Sequence, residues 1–382
     1  MNADKLRASA RIHSIDELRG LALVLVVLSH AGLVYGLDTD IAYGLAIPAF
    51  GVGVDLFFVI SGFVIYRNVL TTIAASRGDA LKGAQAFWLR RFVRIGAPAA
   101  GTLAVIAALR QIHEGAGASW TDLAAAAGFF ADFYWADCAT SADPCPYPLI
   151  ASHFWSLSLE GQFYVLAPAL VALPRRLALP LFLIALAIGA AVARPVGSSL
   201  WTTRPDALFI GMAVAMLRER GLRSGKLWPS LSLGQAVYWA CLASILERLA
   251  IGRLSGLGLT FIAIAFGLIL AGRLDADPDK SWLARTLRKC GAVSFAAYLT
   301  HLPVMSGVHA ALAQITPPAL SLLLSLAAMA AIAPLWDALI VNPSAHLGRR
   351  LSRQWILINC KHRLGLRNLN HHFIRCRRTK WE

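Results

Sequence analysis

Two histidines, His30 and His301, lie in apolar stretches of the chain, where an ionisable side chain is costly to bury. An imidazole gains or loses a proton near neutral pH, so each histidine is a candidate acid–base group. Arg19 precedes His30 by eleven residues, about three helical turns, which places both on one helix face. For His30 alone, an imidazole satisfied by a neighbouring carbonyl is an equally good interpretation. The catalytic interpretation needs partners from other segments.

Candidate partners lie in three other apolar stretches. Asp55 and Glu160 interrupt two of them, and a carboxylate at the depth of His30 would orient its imidazole. Tyr298 and His301 are about one turn apart in the third stretch. Together these residues predict a polar site inside an apolar bundle.

Arg91 and Arg94 form a basic pair with i,i+3 spacing just before another apolar stretch. Paired guanidinium groups suit phosphate, which they can bind through two parallel hydrogen bonds. The alternative is an ordinary basic anchor on the cytoplasmic side of a membrane helix, which by spacing alone is the commoner case.

The elements that position these residues are predicted to be membrane helices. The 382 residues are 57% hydrophobic and 15% charged, and the mean hydropathy is +0.60, which is unlike a soluble domain. Apolar runs near the length that crosses a bilayer predict an all-α polytopic integral membrane protein with about ten transmembrane helices in one bundle. The predicted spans are 17–36, 46–68, 95–112, 153–174, 177–194, 203–217, 229–246, 254–272, 291–312 and 318–341. The apolar stretch 123–133 is predicted to be re-entrant or interfacial.

The basic residues predict the topology. With these spans, 30 of the 36 Lys and Arg residues fall on one side, and none lies between Gln111 and Pro174. Short cytoplasmic loops retain Lys and Arg, so both termini are predicted to be cytoplasmic and the loop 111–152 to lie outside. The net charge of +15 is therefore a sign of membrane topology, and no nucleic-acid partner is predicted.

The cysteines predict no metal site, because no pair has zinc-binding spacing. Cys138 and Cys145 lie in the predicted outer loop, where an oxidising compartment permits a disulfide between them. Whether they pair is left open by the sequence.

Taken together, these segments resemble the membrane acyltransferase-3 family, and the resemblance covers about residues 11–350 in the family's order. The matching stretches are Asp16-Glu-Leu-Arg-Gly20 with Arg19 ten intervening residues before His30, Gly53-Val-Asp-Leu-Phe-Phe-Val-Ile-Ser-Gly62, Arg91-Phe-Val-Arg94, Trp155-Ser-Leu-Ser-Leu-Glu-Gly-Gln-Phe-Tyr164 and Tyr298-Leu-Thr-His-Leu-Pro303. Arg204-x-Asp206 is a weaker match. Where the family tends to have an acidic residue before the last proline, this chain has Val341-Asn-Pro343, so no acidic role transfers there.

The resemblance implies a bacterial O-acyltransferase of the cytoplasmic (inner) membrane. Such an enzyme moves an acyl group, most often acetyl, from cytoplasmic acyl-CoA to a hydroxyl of a surface or exported polysaccharide at the outer face. The implied partners are a glycan or lipid-linked saccharide acceptor and membrane lipids, and thioester transfer needs no metal.

The resemblance also assigns roles to the residues that match its motifs. It makes His30 the general base or transient acyl carrier, supported by Glu160, Asp16 and Arg19. It places the donor phosphates at Arg91 and Arg94. The residues predicted to contact the acceptor are Asp55, Tyr298, His301 and Arg204.

The rival functions are a proton-coupled transporter or exporter, with His30, Glu160 and His301 as a proton relay, and a noncatalytic membrane sensor or assembly protein. The Arg-x-x-Arg pair favours the acyltransferase, because a thioester donor carries phosphates and a proton relay does not. The chain is predicted to consist of a transmembrane domain, 1–350, and a basic cytoplasmic tail, 351–382.

Overall fold

The computed structural model describes residues 13–36, 50–112, 118–141, 150–195, 197–221, 230–248, 254–277, 279–312 and 314–363. Within these residues all regular structure is helical, which confirms the all-α prediction. The α-helices are α1 His13–Tyr35, α2 Gly53–Ala75, α3 Ala80–Ile112, α4 Trp120–Ala127, α5 Ala131–Thr140, α6 Phe154–Ala172, α7 Arg175–Ala191, α8 Ser199–Thr202, α9 Asp206–Glu219, α10 Leu233–Arg248, α11 Ser255–Leu274, α12 Trp282–Ala292, α13 Ser294–Leu312, α14 Pro318–Trp336 and α15 Asn342–Arg363. A 3-10 turn, Phe50–Val52, precedes α2, and a π-helical turn, Asp337–Val341, joins α14 to α15.

Several of these helices have the length and composition of membrane spans. Five helical segments are long and apolar enough to cross a bilayer: His13–Tyr35, Gly53–Ala75, Ala80–Gln111, Ser255–Leu274 and Pro318–Ile358. Two shorter apolar helices are Arg176–Ala191 and Leu233–Leu246. Each of the ten predicted spans overlaps a helix, but the count of ten spans and the location of the termini remain predictions.

The stretch 123–133 does not form one continuous helix. It is divided between α4 and α5, and Phe129 between them has a left-handed backbone with φ 58°. In α5, Cys138 is disulfide-bonded, while Cys145 lies outside the described residues.

Glycines allow the close packing of α2 against α9. A Cβ atom added at Gly62 would collide with the carbonyl oxygen of Leu208, and one added at Gly211 would collide with that of Val59. Backbone therefore lies directly against backbone at this crossing. This is the usual reason for small residues at membrane helix interfaces.

A buried ion-pair network joins α1 to α11 and α12. The carboxylate of Glu17 has no exposed surface and lies 2.5 Å from Nη2 of Arg273 and 2.6 Å from Nη1 of Arg288. Arg273 also donates to the carbonyl oxygen of Leu231 over 2.7 Å. This network fixes the start of α1 against α11 and α12.

Helix α15 crosses the predicted boundary between the transmembrane domain and the basic tail. It continues from Asn342 to Arg363 and packs against α3, where Gly348 approaches the backbone of Arg90. The domain boundary at residue 350 remains a prediction.

We expect residues 111–152 to lie outside and the segment before α12 to lie inside, because of the Lys/Arg asymmetry. Ser141 and Lys280 are both exposed, so they are matched sites for single-cysteine labelling in a background without native cysteines. In intact cells a membrane-impermeant maleimide should label Ser141→Cys, and Lys280→Cys should react only after permeabilisation. The reverse pattern would overturn this topology.

Candidate active site

The imidazole of His30 lies where α1 meets α13. Its Nδ1 is 2.9 Å from the carbonyl oxygen of Val26 and 3.4 Å from Nε2 of His301. The two rings meet edge to face with centroids 4.9 Å apart. The structure therefore brings the two histidines singled out by the sequence into contact.

The tautomers of both rings follow from their backbone partners. Nδ1 of His301 lies 2.6 Å from the carbonyl oxygen of Tyr298, and a carbonyl oxygen only accepts, so this nitrogen carries the hydrogen. By the same reasoning Nδ1 of His30 donates to Val26, and it shares that hydrogen with the unprotonated Nε2 of His301. Nε2 of His30 is thus left with a free lone pair, which is the nitrogen that a general base requires.

A third histidine, His153, completes this cluster and is not among the site residues predicted from the sequence. Its ring lies 5.1 Å from that of His301 and 5.6 Å from that of Tyr298, centroid to centroid. Only 1% of the residue is exposed. A recognisable signal was present, because His153, at the N-cap of α6, precedes Glu160 by seven residues, about two turns on the same side. The described residues contain no group of three or more His, Cys, Asp or Glu side chains arranged to hold a metal ion.

Tyr298 separates the histidines from a cavity on the other side. Its hydroxyl donates to the carbonyl oxygen of His153 over 2.9 Å and is hydrogen-bonded to the hydroxyl of Ser156. Both Tyr298 and Ser156 line the cavity. The two side chains therefore form a wall shared by the cavity and the histidine cluster.

The cavity is basic and lies between α1, α2, α3, α6 and α13. It has about 820 Å³ of space free of protein atoms, including the part that opens to the outside. Its polar lining contains three arginines, one carboxylate and several hydroxyls: Arg19, Arg91, Arg94, Glu160, Tyr164, Ser61, Ser156, Ser294 and Tyr298. The three arginines lie in electrostatic range of one another, and Asp16 and Glu160 lie near Arg19. Its cationic character suits an anionic ligand.

Arg91 has unused hydrogen-bond donors in this cavity. The guanidinium packs over the rings of Phe87 and Tyr164 at 5.7 and 5.3 Å from their centroids. Its Nε and Nη2 are buried and have no hydrogen-bond partner among the described residues. Buried donors on a charged group are costly to leave unpaired, so an anion bound there would complete the pairing.

Glu160 lies in the cavity rather than beside His30. It accepts a hydrogen bond from the hydroxyl of Tyr164 one turn further along α6. His153, which contacts the histidine cluster, is seven residues away, about 10 Å along the helix axis. The groups that hold the ring of His30 are instead the carbonyl of Val26 and the imidazole of His301.

Asp55 and Arg204 form a buried ion pair with each other. Nε and Nη2 of Arg204 each lie 2.9 Å from a separate oxygen of Asp55, and both side chains are 2% exposed. The guanidinium also lies 4.2 Å from the ring centroid of Trp201 and 5.3 Å from that of Trp155. Each charge is thus satisfied within the protein, which favours a structural role over the predicted contact with the acceptor.

Asp206, the other charged residue of the Arg204-x-Asp206 match, makes a separate buried pair. Its Oδ2 accepts from Nη2 of Arg194 and from the hydroxyl of Thr260, each over 2.8 Å. This pair joins the start of α9 to α11 and to the segment after α7.

The fold and this site define a helical membrane protein with acid–base groups and a cationic cavity. The model of the acyltransferase-3 family, an acyltransferase domain, matches residues 12–337. The chain belongs to this family, and it is a multi-pass membrane acyltransferase.

One curated relative is the peptidoglycan O-acetyltransferase OatA of Listeria monocytogenes serovar 1/2a. It is 26% identical over 327 residues, which are 77% of this chain and 49% of the relative. The chain thus spans about half the length of this relative. No solved structure matches the chain.

We expect Asp55→Asn to destabilise the fold, because it leaves the cation of Arg204 buried without its partner. Breaking such a pair costs about 3–5 kcal/mol, so the thermal midpoint of the purified protein should fall clearly. The double variant Asp55→Leu, Arg204→Met removes both charges and should recover most of the loss. An unchanged midpoint with a raised KM for the acceptor would instead assign this pair to acceptor binding.

Proposed function

We propose that the protein is an O-acyltransferase of the bacterial cytoplasmic membrane that uses cytoplasmic acyl-CoA, most often acetyl-CoA. The acceptor in this proposal is a hydroxyl of a surface or exported glycan at the outer face, free or lipid-linked. The observation that carries the proposal is that two half-sites, one for each substrate, lie on opposite sides of the wall formed by Tyr298 and Ser156. A cationic cavity lies on one side of Tyr298 and Ser156, and an imidazole with a free lone pair lies on the other.

The cationic cavity is assigned to the donor. Coenzyme A is a polyanion, and the predicted topology puts Arg91 and Arg94 near the cytoplasmic end of α3. The unpaired donors of Arg91 would bind a phosphate oxygen there. Arg349 and Arg353 of α15 lie in electrostatic range of Arg90 and add positive charge to this end of α3. This charge would attract the donor from the cytoplasm.

The histidine cluster is assigned to the chemical step. Nε2 of His30 would take the proton of the acceptor hydroxyl as its oxygen attacks the thioester carbonyl carbon. The carbon–sulfur bond would then break, and the leaving thiolate would recover the proton from the imidazolium. Meanwhile the Val26 carbonyl and Nε2 of His301 would stabilise the imidazolium through its Nδ1 hydrogen. If His30 is instead a transient acyl carrier, the same nitrogen is the nucleophile.

Glu160 has a different role in this proposal from the one that the family resemblance implies. It lies beside Arg19 and accepts from Tyr164, so it would balance the positive charge of the cavity. Its removal should therefore affect use of the donor more than the proton transfer at His30.

A glycan acceptor is supported by the relative from Listeria monocytogenes, a peptidoglycan O-acetyltransferase. We extend only the class of acceptor to this chain, because the two proteins share about half of the relative's length.

We expect Arg91→Ala and Arg94→Ala, singly and together, to raise the KM for acetyl-CoA. A phosphate contact is present in the bound donor, so its loss weakens binding before the chemical step. Arg91→Lys should restore donor binding only in part, because an ammonium lacks the planar fork of donors. Rates measured in membranes over a range of acetyl-CoA concentrations test this. Arg285→Ala, which removes an exposed cation of α12, is the matched control. If the double alanine variant keeps the wild-type KM, the two arginines are topology anchors.

We expect His30→Ala to lose acyl transfer by about 10²–10⁴-fold, the usual contribution of a positioned acid–base group. His301→Phe should lose less, because the Val26 carbonyl still holds the ring of His30. Mass spectrometry of acetyl groups on surface glycans, compared among null, wild-type and variant strains at equal protein level, tests both. Normal acetylation in the His30→Ala strain would refute the mechanism. Indistinguishable glycans in the null and wild-type strains would refute the proposed function itself.

A further inference from the structure

We propose that His153 is a further catalytic residue, which donates a hydrogen bond to the carbonyl oxygen of the acyl group during its transfer. This inference rests on the proposed function and assigns a residue that the mechanism above does not use. The ligand group in question is a thioester carbonyl that becomes an oxyanion.

The first observation is that the ring of His153 is buried and unpaired. Neither Nδ1 nor Nε2 has a hydrogen-bond partner among the described residues. The backbone of Ile150 and Leu299 lies near the ring but outside hydrogen-bond geometry. A neutral imidazole always carries one N–H, and a buried unpaired donor costs about 1–3 kcal/mol. A ligand oxygen that binds next to this N–H during turnover would accept its hydrogen bond, which gives the unpaired donor a function.

The second observation is the position of this ring. It packs edge to face against His301, whose own ring contacts His30. The backbone of His153 is held by the hydroxyl of Tyr298, which donates to its carbonyl oxygen over 2.9 Å and accepts in turn from the hydroxyl of Ser156. The unpaired N–H therefore belongs to a residue fixed within the cluster that contains the free lone pair of His30.

The other donors of the cluster are already engaged. The Nδ1 hydrogens of His30 and His301 go to backbone carbonyls, the hydroxyl of Tyr298 donates to the carbonyl oxygen of His153, and the hydroxyl of Ser156 donates to that of Tyr298. The N–H of His153 is the uncommitted donor among these five side chains. Acyl transfer needs such a donor, because negative charge develops on the carbonyl oxygen.

The acceptor oxygen bonds to the carbonyl carbon, its proton passes to Nε2 of His30, and the carbonyl π electrons become the oxyanion. The N–H of His153 stabilises this oxyanion without transferring its proton. When the carbonyl re-forms, the carbon–sulfur bond breaks and the thiolate receives the proton from His30. Removing one donor of this kind typically lowers kcat about 10²–10³-fold.

The test uses the full-length protein in membranes with acetyl-CoA and its glycan acceptor. His153→Phe keeps a buried aromatic ring and removes the N–H, so kcat should fall about 10²–10³-fold while the KM for acetyl-CoA stays within about twofold. His153→Asn places an amide N–H near the position of Nδ1, and His153→Gln places one near the position of Nε2. At least one of these two variants should have a kcat tenfold or more above that of His153→Phe.

A matched control comes from the same helix as His301. His309 of α13 packs edge to face against Tyr35, with centroids 5.1 Å apart, and its Nδ1 is also unpaired. His309→Phe should keep the wild-type kcat, because its ring lies outside the cluster. Thermal midpoints of all variants separate folding defects from loss of turnover.

Three results would overturn the inference: a wild-type kcat in His153→Phe, a loss confined to the KM for acetyl-CoA, or amide variants no better than His153→Phe. In each case a wild-type enzyme that still depends on His30 leaves the proposed function standing. Failure of the wild-type protein to acylate any glycan would instead refute the proposed function.

Discussion

An ionisable side chain inside an apolar helix bundle must find a partner, because leaving it unpaired costs more than most single contacts contribute. This constraint separates the polar residues of the chain into two sets. Most buried charges are paired within the protein and join helices that are distant in sequence: Asp55 with Arg204, Asp206 with Arg194, and Glu17 with Arg273 and Arg288. A few buried atoms elsewhere in the described residues, such as Nδ1 of His309 and Nε of Arg273, are also unpaired, but the second set is Nε and Nη2 of Arg91, both ring nitrogens of His153 and the free lone pair on Nε2 of His30. The second set lies at the cavity and the histidine cluster, where ligands would complete the pairing.

Much of the fold and part of the site were predictable from the sequence, because they depend on local patterns. Apolar runs located the helices, since burying a continuous apolar segment requires backbone that satisfies its own hydrogen bonds. The same runs made His30 and His301 conspicuous as ionisable residues, and the structure places them in contact. Arg91 and Arg94 line one cavity, as their i,i+3 spacing suggests.

The rest depended on which helices become neighbours, and no local pattern contains that information. Asp55 pairs with Arg204, 149 residues away, so a residue expected to contact a ligand is neutralised within the protein. His153 directly precedes α6 and Glu160 lies two turns into it, but only the structure shows that His153 is the one that contacts His301. The glycine contacts between α2 and α9 likewise join helices that are distant in the chain, and they fix how far these two helices slide along each other.

In the proposed reaction, the wall of Tyr298 and Ser156 determines which part of the acyl donor can pass from the cavity to the histidine cluster. Tyr298 and Ser156 close it by hydrogen bonds between neutral groups, each worth about 0.5–1.5 kcal/mol net. Moving a phosphate of the donor away from the arginines into the apolar bundle would cost several kcal/mol per charge. The cheaper route leaves the phosphates with Arg91 and Arg94, so that only the uncharged acyl thioester end reaches His30. The neutral wall and the cationic cavity thus have complementary effects, since one admits the acyl group and the other retains the rest of the donor.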